Sequence, residues 1–319
     1  MRENAIELIE KIGLLPLVNT NDPGKAVPIA KALDKGGVPV VEVTLRDKTA
    51  LESLENIRKE LPDLLVGAGT VKNPEQAGAA IDRGADFIVS PGLNRETVEF
   101  CQKKNVPIIP GATTASELEL GESLGLNVFK FFPADVAGGL PAIKALLGPF
   151  SSVRFVPTGG ISFDNMKPYA ETPAVLAVGG SFLTPKSAVE SNDWDAITKS
   201  AARAVEISVG FAQGHVGINC ESVDEAKATA LWFDERFGLK PREIDISFFA
   251  GSAVEAMKKP SFGERGHIGI ACNSIARAMF QLERRGYKFR FFKKNPEGKI
   301  IAAYLEDEVA GFAVHLCGK

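Results

Sequence analysis

The chain has 319 residues, of which 45% are hydrophobic and 24% charged, and its formal net charge is −3. This composition is typical of a globular protein, and it lacks the excess of lysine and arginine that accompanies nucleic-acid binding. The longest apolar stretches are strand-sized and the N-terminus shows no signal-peptide pattern, so we expect a cytoplasmic protein without a membrane partner. The four cysteines have no CxxC spacing, which argues against a disulfide framework.

Short apolar segments alternate with longer amphipathic segments from residue 1 to residue 210. Eight segments have strand character, at 14–19, 38–45, 64–69, 86–89, 107–110, 127–131, 153–157 and 174–178. Helices are predicted after them, at 24–36, 47–60, 74–83, 94–104, 114–124, 139–147, 162–170 and 185–209. Eight strand–helix units of similar spacing predict a (β/α)8 TIM barrel, with an open doubly wound sheet as the alternative. The first strand is not followed by GxGxxG, which counts against an open nucleotide-binding sheet.

A single lysine, Lys130, lies in the apolar and aromatic segment 127–135. A buried ammonium group is costly unless it is paired or loses its proton, and desolvation lowers the pKa of a lysine. An amine with a lowered pKa is a nucleophile toward carbonyl carbons, as Schiff-base catalysis requires. The alternative is a lysine at a strand end whose stem packs while its charge reaches water.

In such a barrel the reactive groups lie at the carboxyl ends of the strands. Alternation along the second strand predicts that Glu42, Thr44 and Arg46 share one face and reach the same rim as Lys130. Because residues 1–210 contain no histidine, Glu42 is the candidate base and Arg46 the candidate ligand of a substrate carboxylate. The alternative is a structural ion pair between Glu42 and Arg46.

Two glycine-rich turns follow the last two predicted strands of the barrel, at Gly159-Gly160 and at Gly179-Gly180-Ser181. Glycines let backbone N–H groups approach a ligand closely, and the corresponding loops of many barrels bind phosphate. The alternative is that the glycines only permit tight turns. Two such turns on adjacent strands favour a phosphate site.

Seven motifs that occur in order between residues 41 and 181 resemble the 2-keto-3-deoxy-6-phosphogluconate (KDPG) and 4-hydroxy-2-oxoglutarate (KHG) aldolases. They are Val41-Glu42-Val43-Thr44-Leu45-Arg46, Gly67-Ala68-Gly69-Thr70-Val71, Ser90-Pro91-Gly92, Pro110-Gly111, Lys130-Phe131-Phe132-Pro133-Ala134, Pro157-Thr158-Gly159-Gly160-Ile161 and Val178-Gly179-Gly180-Ser181. One departure from the family pattern is Asp135, where glutamate is expected. The resemblance implies a class I aldolase on a (β/α)8 barrel, a homotrimer of the Entner–Doudoroff pathway that needs no cofactor.

The resemblance also implies individual roles. Lys130 is expected to form the Schiff base, Glu42 to shuttle protons, and Arg46 and Thr70 to contact the pyruvate carboxylate. Pro91 is also expected to contact the substrate. Contacts around the phosphorylated or distal end are expected from Thr158, Gly159, Gly160, Gly179, Gly180 and Ser181. The expected substrates are KDPG, cleaved to pyruvate and glyceraldehyde 3-phosphate, and KHG, cleaved to pyruvate and glyoxylate. A metal-dependent isomerase or decarboxylase is the alternative, against which the lack of histidine in the barrel counts.

A different pattern occupies residues 214–319, which we interpret as a second domain. The segment 215–226 recurs as 267–278, an internal repeat with a period of 52 residues. Each copy predicts a strand, a helix and several short strands, so two βαβββ modules are expected. The short strands are predicted at 244–249, 253–257, 287–293, 300–305 and 311–316.

Paired modules that each begin with His-x-Gly-Ile resemble the vicinal oxygen chelate superfamily, which includes the glyoxalases. The resemblance implies metal ligands on the first and last strands of each module, at positions held here by His215, Glu255, His267 and His315. Three imidazoles and a carboxylate suit zinc or another divalent transition metal. The alternative is a noncatalytic domain that binds a metabolite or stabilises an oligomer.

Overall fold

The computed structural model describes residues 4–319, and the chain divides into two compact units, Met1–Ser208 and Val209–Lys319. Among the described residues no helix is both long and apolar enough to cross a membrane. Each unit is a separate fold and is described by itself below.

The first unit alternates strands and helices. Its strands are β1 Leu14–Val18, β2 Val40–Thr44, β3 Leu65–Gly69, β4 Phe87–Val89, β5 Ile108–Ile109, β6 Val128–Phe131, β7 Arg154–Pro157 and β8 Val178–Gly180. Its helices are α1 Ala5–Ile12, α2 Pro23–Lys35, α3 Ala50–Glu60, α4 Pro74–Asp82, α5 Arg95–Lys103, α6 Ala115–Ser123, α7 Gly139–Leu146, α8 Met166–Ala170, α9 Lys186–Ser191 and α10 Trp194–Val209. Several helices begin at an Asn, Asp or Thr whose side chain accepts a hydrogen bond from the first turn.

The strands of the first unit close into a ring. Six strands pair in the order β5-β4-β3-β2-β1-β8, and β6 pairs with β7. Single parallel bridges, Gly111 with Lys130 and Thr158 with Gly179, join the two groups at both ends. All of these pairings are parallel, so the predicted (β/α)8 barrel is confirmed and the open sheet is excluded.

The end of the barrel departs from the predicted elements. The expected helix 185–209 is two helices, α9 and α10, because Asn192 adopts a left-handed conformation with φ 59° and terminates α9. Asparagine tolerates this conformation better than most residues. The Asp193 side chain then accepts a hydrogen bond from the backbone of Ala196 and begins α10. The last strand also lies later than predicted, since β8 begins at Val178.

The second unit consists of two βαβββ modules, as predicted. The first contains β9 Ala212–Asn219, α11 Val223–Phe237, β10 Pro241–Ile244, β11 Ser247–Ala250 and β12 Val254–Met257. The second contains β13 Gly266–Cys272, α12 Ile275–Arg284, β14 Phe289–Lys294, β15 Ile300–Val309 and β16 Phe312–Gly318. The single strand predicted at 244–249 is wrong, because residues 245 and 246 form a turn between β10 and β11.

The two modules form one eight-stranded sheet in the order β10-β11-β12-β9-β13-β16-β15-β14, with β9 and β13 antiparallel at its centre. Helix α11 buries Ala226 and Ala230 in a small core that includes Phe248 and Ala256. Since side chains alternate along a strand, Glu255 next to Ala256 points to the opposite face. That second face carries the histidines.

Candidate active site and candidate metal centre

A buried ion pair joins β6 to β2 inside the barrel. Lys130 Nζ lies 3.0 Å from Glu42 Oε1, and the two side chains are 7% and 1% exposed. The same ammonium group lies 5.4 Å from the centroid of the Phe132 ring. The second carboxylate oxygen, Glu42 Oε2, is buried and has no hydrogen-bond partner among the described residues. This oxygen is therefore available to accept a proton or a hydrogen bond.

A glycine on β3 makes room for this carboxylate. A Cβ at Gly69 would lie 2.0 Å from Glu42 Oε1 and 2.6 Å from its Cγ. No role for Gly69 follows from the sequence, because its effect depends on a neighbouring strand. Thr44 is buried on β2 with its hydroxyl toward the Val18 carbonyl at 3.5 Å.

Arg46 lies just beyond the end of β2. Its N–H donates to the Thr44 carbonyl at 2.8 Å and its side chain is exposed. The strand ends at Thr44, so strand alternation does not extend to Arg46. Among residues 4–319 no ion pair joins Arg46 to Glu42, which leaves its guanidinium at the rim of the barrel.

Thr70 and Pro91 follow β3 and β4 at the same rim. Thr70 has φ 61°, and a β-branched residue in this region is strained by about 1–3 kcal/mol. Such strain persists where surrounding structure imposes it, most often at functional sites. Pro91 is exposed. A Cβ at Gly111 would lie 2.1 Å from the Pro91 carbonyl oxygen, so only glycine fits there. Gly111 in turn bridges the strand that carries Lys130.

The two glycine turns lie together at the ends of β7 and β8. Thr158 is buried and bridges Gly179, where a Cβ would lie 2.3 Å from the threonine Oγ1. Gly159 and Gly160 both have positive φ, 94° and 76°, which only glycine adopts readily. Gly180 is buried, and the exposed Ser181 begins a short 3-10 helix over residues 181–183. Adjacent turns of this kind present backbone N–H groups to one place, as anion binding requires.

In the second unit, three histidines from the two modules have donor atoms within 4.8 Å of one another, and Glu255 contacts two of them. The Nε2 atom of His215 lies 3.2 Å from His267 Nε2 and 3.3 Å from His315 Nε2. Glu255 Oε2 lies 3.1 Å from His267 Nε2 and 3.2 Å from His215 Nε2. All but His215 are buried, at 2% to 6% exposure. The structure thus brings together the four residues expected to bind metal.

The donor atoms fit a divalent cation. A neutral imidazole has one protonated nitrogen and one lone pair, and a single proton is the most that fits between two facing nitrogens. A cation between the three Nε2 atoms and the carboxylate oxygen would use their facing lone pairs. Without a cation the donors share protons: burial lowers the pKa of His215, but hydrogen bonds with Cys317 and Glu255 outweigh it and raise that pKa to about 9. In a tetrahedral zinc site with bonds of 2.0–2.1 Å the ligand atoms are about 3.3 Å apart. Four of the six separations, 3.1–3.3 Å, match this value, and the three imidazole donors all lie within 4.8 Å of one another, a set that does not include Glu255.

Outer contacts orient part of this cluster. Ser247 donates to Glu255 Oε1 at 2.6 Å, which leaves Oε2 toward the histidines. The Nδ1 atom of His315 lies 3.2 Å from the Leu316 carbonyl oxygen. His267 Nδ1 is buried without a partner among the described residues. In metal sites, a hydrogen bond to the atom of a side chain that does not bind the metal fixes the orientation of that side chain. Here Glu255 and His315 are oriented in this way.

Burial and neighbouring charge also set the protonation states. Burial alone would raise the pKa of Glu255, but hydrogen bonds with His215, His267 and Ser247 outweigh it and hold that pKa well below its usual range. Burial, reinforced by the charge on His267, lowers the pKa of His315 to about 4. His315 is therefore neutral at pH 7, the form that coordinates metal.

Two glycines leave room for the rings of His215 and His267 to lie side by side. A Cβ at Gly217 would lie 2.0 Å from the His267 ring, and one at Gly269 would lie 2.6 Å from the His215 ring. Each module therefore supplies a glycine that accommodates the histidine of the other. The repeated His-x-Gly motif is the signal in the sequence, but the role of its glycine emerges only from the pairing of β9 with β13.

Comparisons with known proteins concern the first unit. The sequence model of the KDPG and KHG aldolase family matches residues 5–200. The KHG/KDPG aldolase of Escherichia coli is 48% identical over 193 residues, which are 60% of this chain and 91% of that protein. The match to the family ends at residue 200 and so does not reach the second unit.

Two solved structures show the same similarity in three dimensions. The KDPG aldolase of Legionella pneumophila, with pyruvate captured at low pH as a covalent carbinolamine intermediate, is 41% identical with a TM-score of 0.60, and the match covers 62% of this chain and 96% of that one. The 2-keto-3-deoxy-6-phosphogluconate aldolase of Zymomonas mobilis with 3-phosphoglycerate is 41% identical with a TM-score of 0.59, covering 62% and 94%.

The space at Gly69 provides a test of the ion pair. In Gly69→Ala the new methyl group displaces the Glu42 carboxylate from Lys130, and we expect the rate of pyruvate release from KDPG to fall at least about tenfold. Overpacking costs about 1–3 kcal/mol, so the melting temperature should fall only moderately. The control is Gly78→Ala within α4, where a Cβ would lie 3.3 Å from the tip of the Phe100 ring. A folded Gly69→Ala variant with the wild-type rate would contradict the proposed role of this contact.

Proposed function

The chain belongs to the KDPG and KHG aldolase family, and we propose that its barrel cleaves both substrates through a Schiff base on Lys130. As a member of this family it is a lyase, and class I chemistry needs no cofactor. The observation that carries the proposal is the buried pair of Lys130 with Glu42, in which one carboxylate oxygen has no partner. We also expect a homotrimer formed through the barrel, as the family resemblance implies.

The first half of the reaction builds an electron sink. The ammonium group of Lys130 gives one proton to Glu42, and the resulting amine adds to the C2 carbonyl of the substrate. Glu42 returns that proton to the departing hydroxyl group, and loss of water leaves a protonated imine. The bond between C3 and C4 then breaks, and its electron pair moves toward the imine nitrogen to give an enamine. Glu42 takes the proton of the C4 hydroxyl group as the aldehyde forms, directly or through a water molecule.

The second half releases pyruvate. Glu42 returns a proton to C3 of the enamine, and water hydrolyses the resulting imine to pyruvate and free Lys130. The unpartnered Oε2 supports this role, because a proton acceptor needs an oxygen that the protein does not already occupy. Arg46 and Thr70 at the rim are assigned to the pyruvate carboxylate, for which a guanidinium offers two parallel hydrogen bonds.

The glycine turns after β7 and β8 are assigned to the distal end of the substrate. Backbone N–H groups of Gly159, Gly160 and the 179–181 turn would hold the phosphate of KDPG, with Thr158 beneath them and Pro91 on the neighbouring rim. The structure of the Zymomonas mobilis relative with 3-phosphoglycerate supports a phosphate site in this fold. KHG carries a carboxylate at its distal end in place of the phosphate, so the same backbone N–H groups would face an anion in both substrates.

For the second unit we propose a divalent metal centre held by His215, Glu255, His267 and His315. The donor atoms of the three histidines, which lie within 4.8 Å of one another, and the contacts of Glu255 with two of them support it. When bound, the metal would act as a Lewis acid toward an oxygen ligand. A domain that serves only as an interface has no use for four converging donors.

The aldolase proposal predicts that a substitution at the site lowers the cleavage rates of both KDPG and KHG. Lys130→Arg keeps the positive charge but cannot form the imine, so we expect pyruvate release from both KDPG and KHG to fall at least about a thousandfold. Glu42→Gln keeps the shape but not the base, and we expect a loss of about 10²–10⁴. Lys103→Arg and Glu96→Gln, exposed on α5, are matched controls. Retention of either activity by Lys130→Arg would refute the mechanism.

The metal proposal predicts how many zinc ions each chain binds. After dialysis against Zn²⁺ we expect one ion per chain by elemental analysis, and at least about tenfold weaker binding in His215→Ala and His267→Ala. Val216→Ala on the same strand is the control, because Val216 points to the opposite face and is 38% exposed. The retro-aldol rate should survive chelation of this metal. Equal metal content in the wild type and both histidine variants would end the proposal.

A further inference from the structure

The two glycine turns assigned to the distal end of the substrate have few side chains of their own to hold them. Gly159, Gly160, Gly179 and Gly180 make up most of these turns, and glycine has the greatest backbone freedom of any residue. Backbone N–H groups bind an anion tightly only when they are held in place before it arrives. The side chains next to the glycines therefore decide how well the turns are positioned.

An aromatic contact joins the two loops that carry these turns. Phe163 lies three residues after Gly160, and Phe182 lies two residues after Gly180. The centroids of the two phenyl rings are 5.2 Å apart and the ring planes meet at 89°, the edge-to-face arrangement that aromatic pairs favour. Both residues are half-buried. The loops after β7 and β8 are thus connected beyond the ends of the strands.

Each ring is also fixed to its own turn. A Cβ at Gly180 would lie 2.7 Å from Cδ1 of Phe182, so this ring packs directly on the glycine. The side chain of Asn165 donates to the Gly160 carbonyl at 2.8 Å and closes the short loop that carries Phe163. A displacement of either ring would therefore move the turn beside it.

A cation on α10 supports Phe163. The guanidinium carbon of Arg203 lies 4.4 Å from the centroid of the Phe163 ring, which is a cation–π distance. Helix α10 buries Ala204 and Val205 in the first unit, so it is a fixed support for the ring. We call Phe163, Phe182 and Arg203 the aromatic clamp.

The two expected substrates differ in the size of the distal anion. A phosphate ester presents three terminal oxygens and a carboxylate presents two. The N–H groups of one turn can satisfy a carboxylate, whereas a phosphate needs donors from both turns at a defined separation. The separation of the turns therefore matters more for KDPG than for KHG.

We propose that the aromatic clamp sets the separation of the two glycine turns and thereby favours a distal phosphate over a distal carboxylate. This inference rests on the proposed aldolase function and adds specificity-determining residues to it. Phe163, Phe182 and Arg203 act as positioning residues, through the backbone N–H groups of the turns. Lys130 and Glu42 carry out the same chemistry on either substrate.

Leucine substitutions test the clamp, because leucine keeps the apolar bulk of phenylalanine and removes the ring. In Phe163→Leu and in Phe182→Leu we expect the KM for KDPG to rise at least about fivefold, while the KM for KHG and both kcat values stay within about twofold. Phe163→Tyr, which keeps the ring, should keep the wild-type KM. The double variant Phe163→Leu, Phe182→Leu should be no worse than either single variant, since residues that act through one contact are not additive.

A matched pair of methionine substitutions on α10 separates ring stacking from general charge. Arg203 and Lys199 are both exposed on this helix, and each substitution removes one positive charge. We expect Arg203→Met to raise the KM for KDPG about two- to threefold and Lys199→Met to leave it unchanged. Equal changes in the two variants would contradict the clamp, because they would reflect only the attraction of an anionic substrate.

The failure of this inference differs from the failure of the aldolase proposal. If the wild type forms no borohydride-stable adduct with pyruvate and cleaves neither substrate, the aldolase proposal is wrong and the clamp falls with it. If the wild type cleaves both substrates but the leucine variants raise the two KM values equally, or raise neither, only the clamp is overturned. Losses that add in the double variant would also overturn it, because the two rings would then act separately.

Discussion

The barrel site depends on one constraint, that the ammonium group of Lys130 is buried and must be paired. Its partner Glu42 lies on β2, far from Lys130 in the sequence, and the two side chains meet only because the barrel closes. The pair uses one carboxylate oxygen and leaves the other free. Gly69 provides the space for this arrangement. A nucleophile and a base are thus held together before substrate arrives, which is how a preorganised site lowers its reaction barrier.

Much of the first unit could be predicted because the pattern is local and repeated. Each strand is a short apolar run followed by an amphipathic helix, and chemistry in such barrels lies at the strand ends, where Glu42 and Lys130 were found. Beyond the shared rim of Glu42 and Lys130, contacts between distant segments could not be predicted. Gly69 matters only beside Glu42, and Arg46 lies past the end of β2, so alternation does not place it. The break at Asn192 depends on one backbone conformation within an otherwise helical pattern.

The second unit shows how a duplicated module builds a centre that neither copy contains. Each module contributes one histidine on its first strand and one donor on its last, Glu255 or His315. The glycine of each His-x-Gly motif makes room for the other module's histidine. The internal repeat predicted the two modules, and the family resemblance predicted the four donor residues. The register of β14 against β15 includes a bulge that the sequence does not reveal.

The central claim, that Lys130 carries the Schiff base, is tested most directly by trapping it. The full chain is incubated with pyruvate, the imine is reduced with borohydride, and the modified residue is located by peptide mass spectrometry. The account predicts one stable adduct per chain, on Lys130, and none in Lys130→Arg. An adduct on a different lysine, or the absence of any adduct in the wild type, would contradict it.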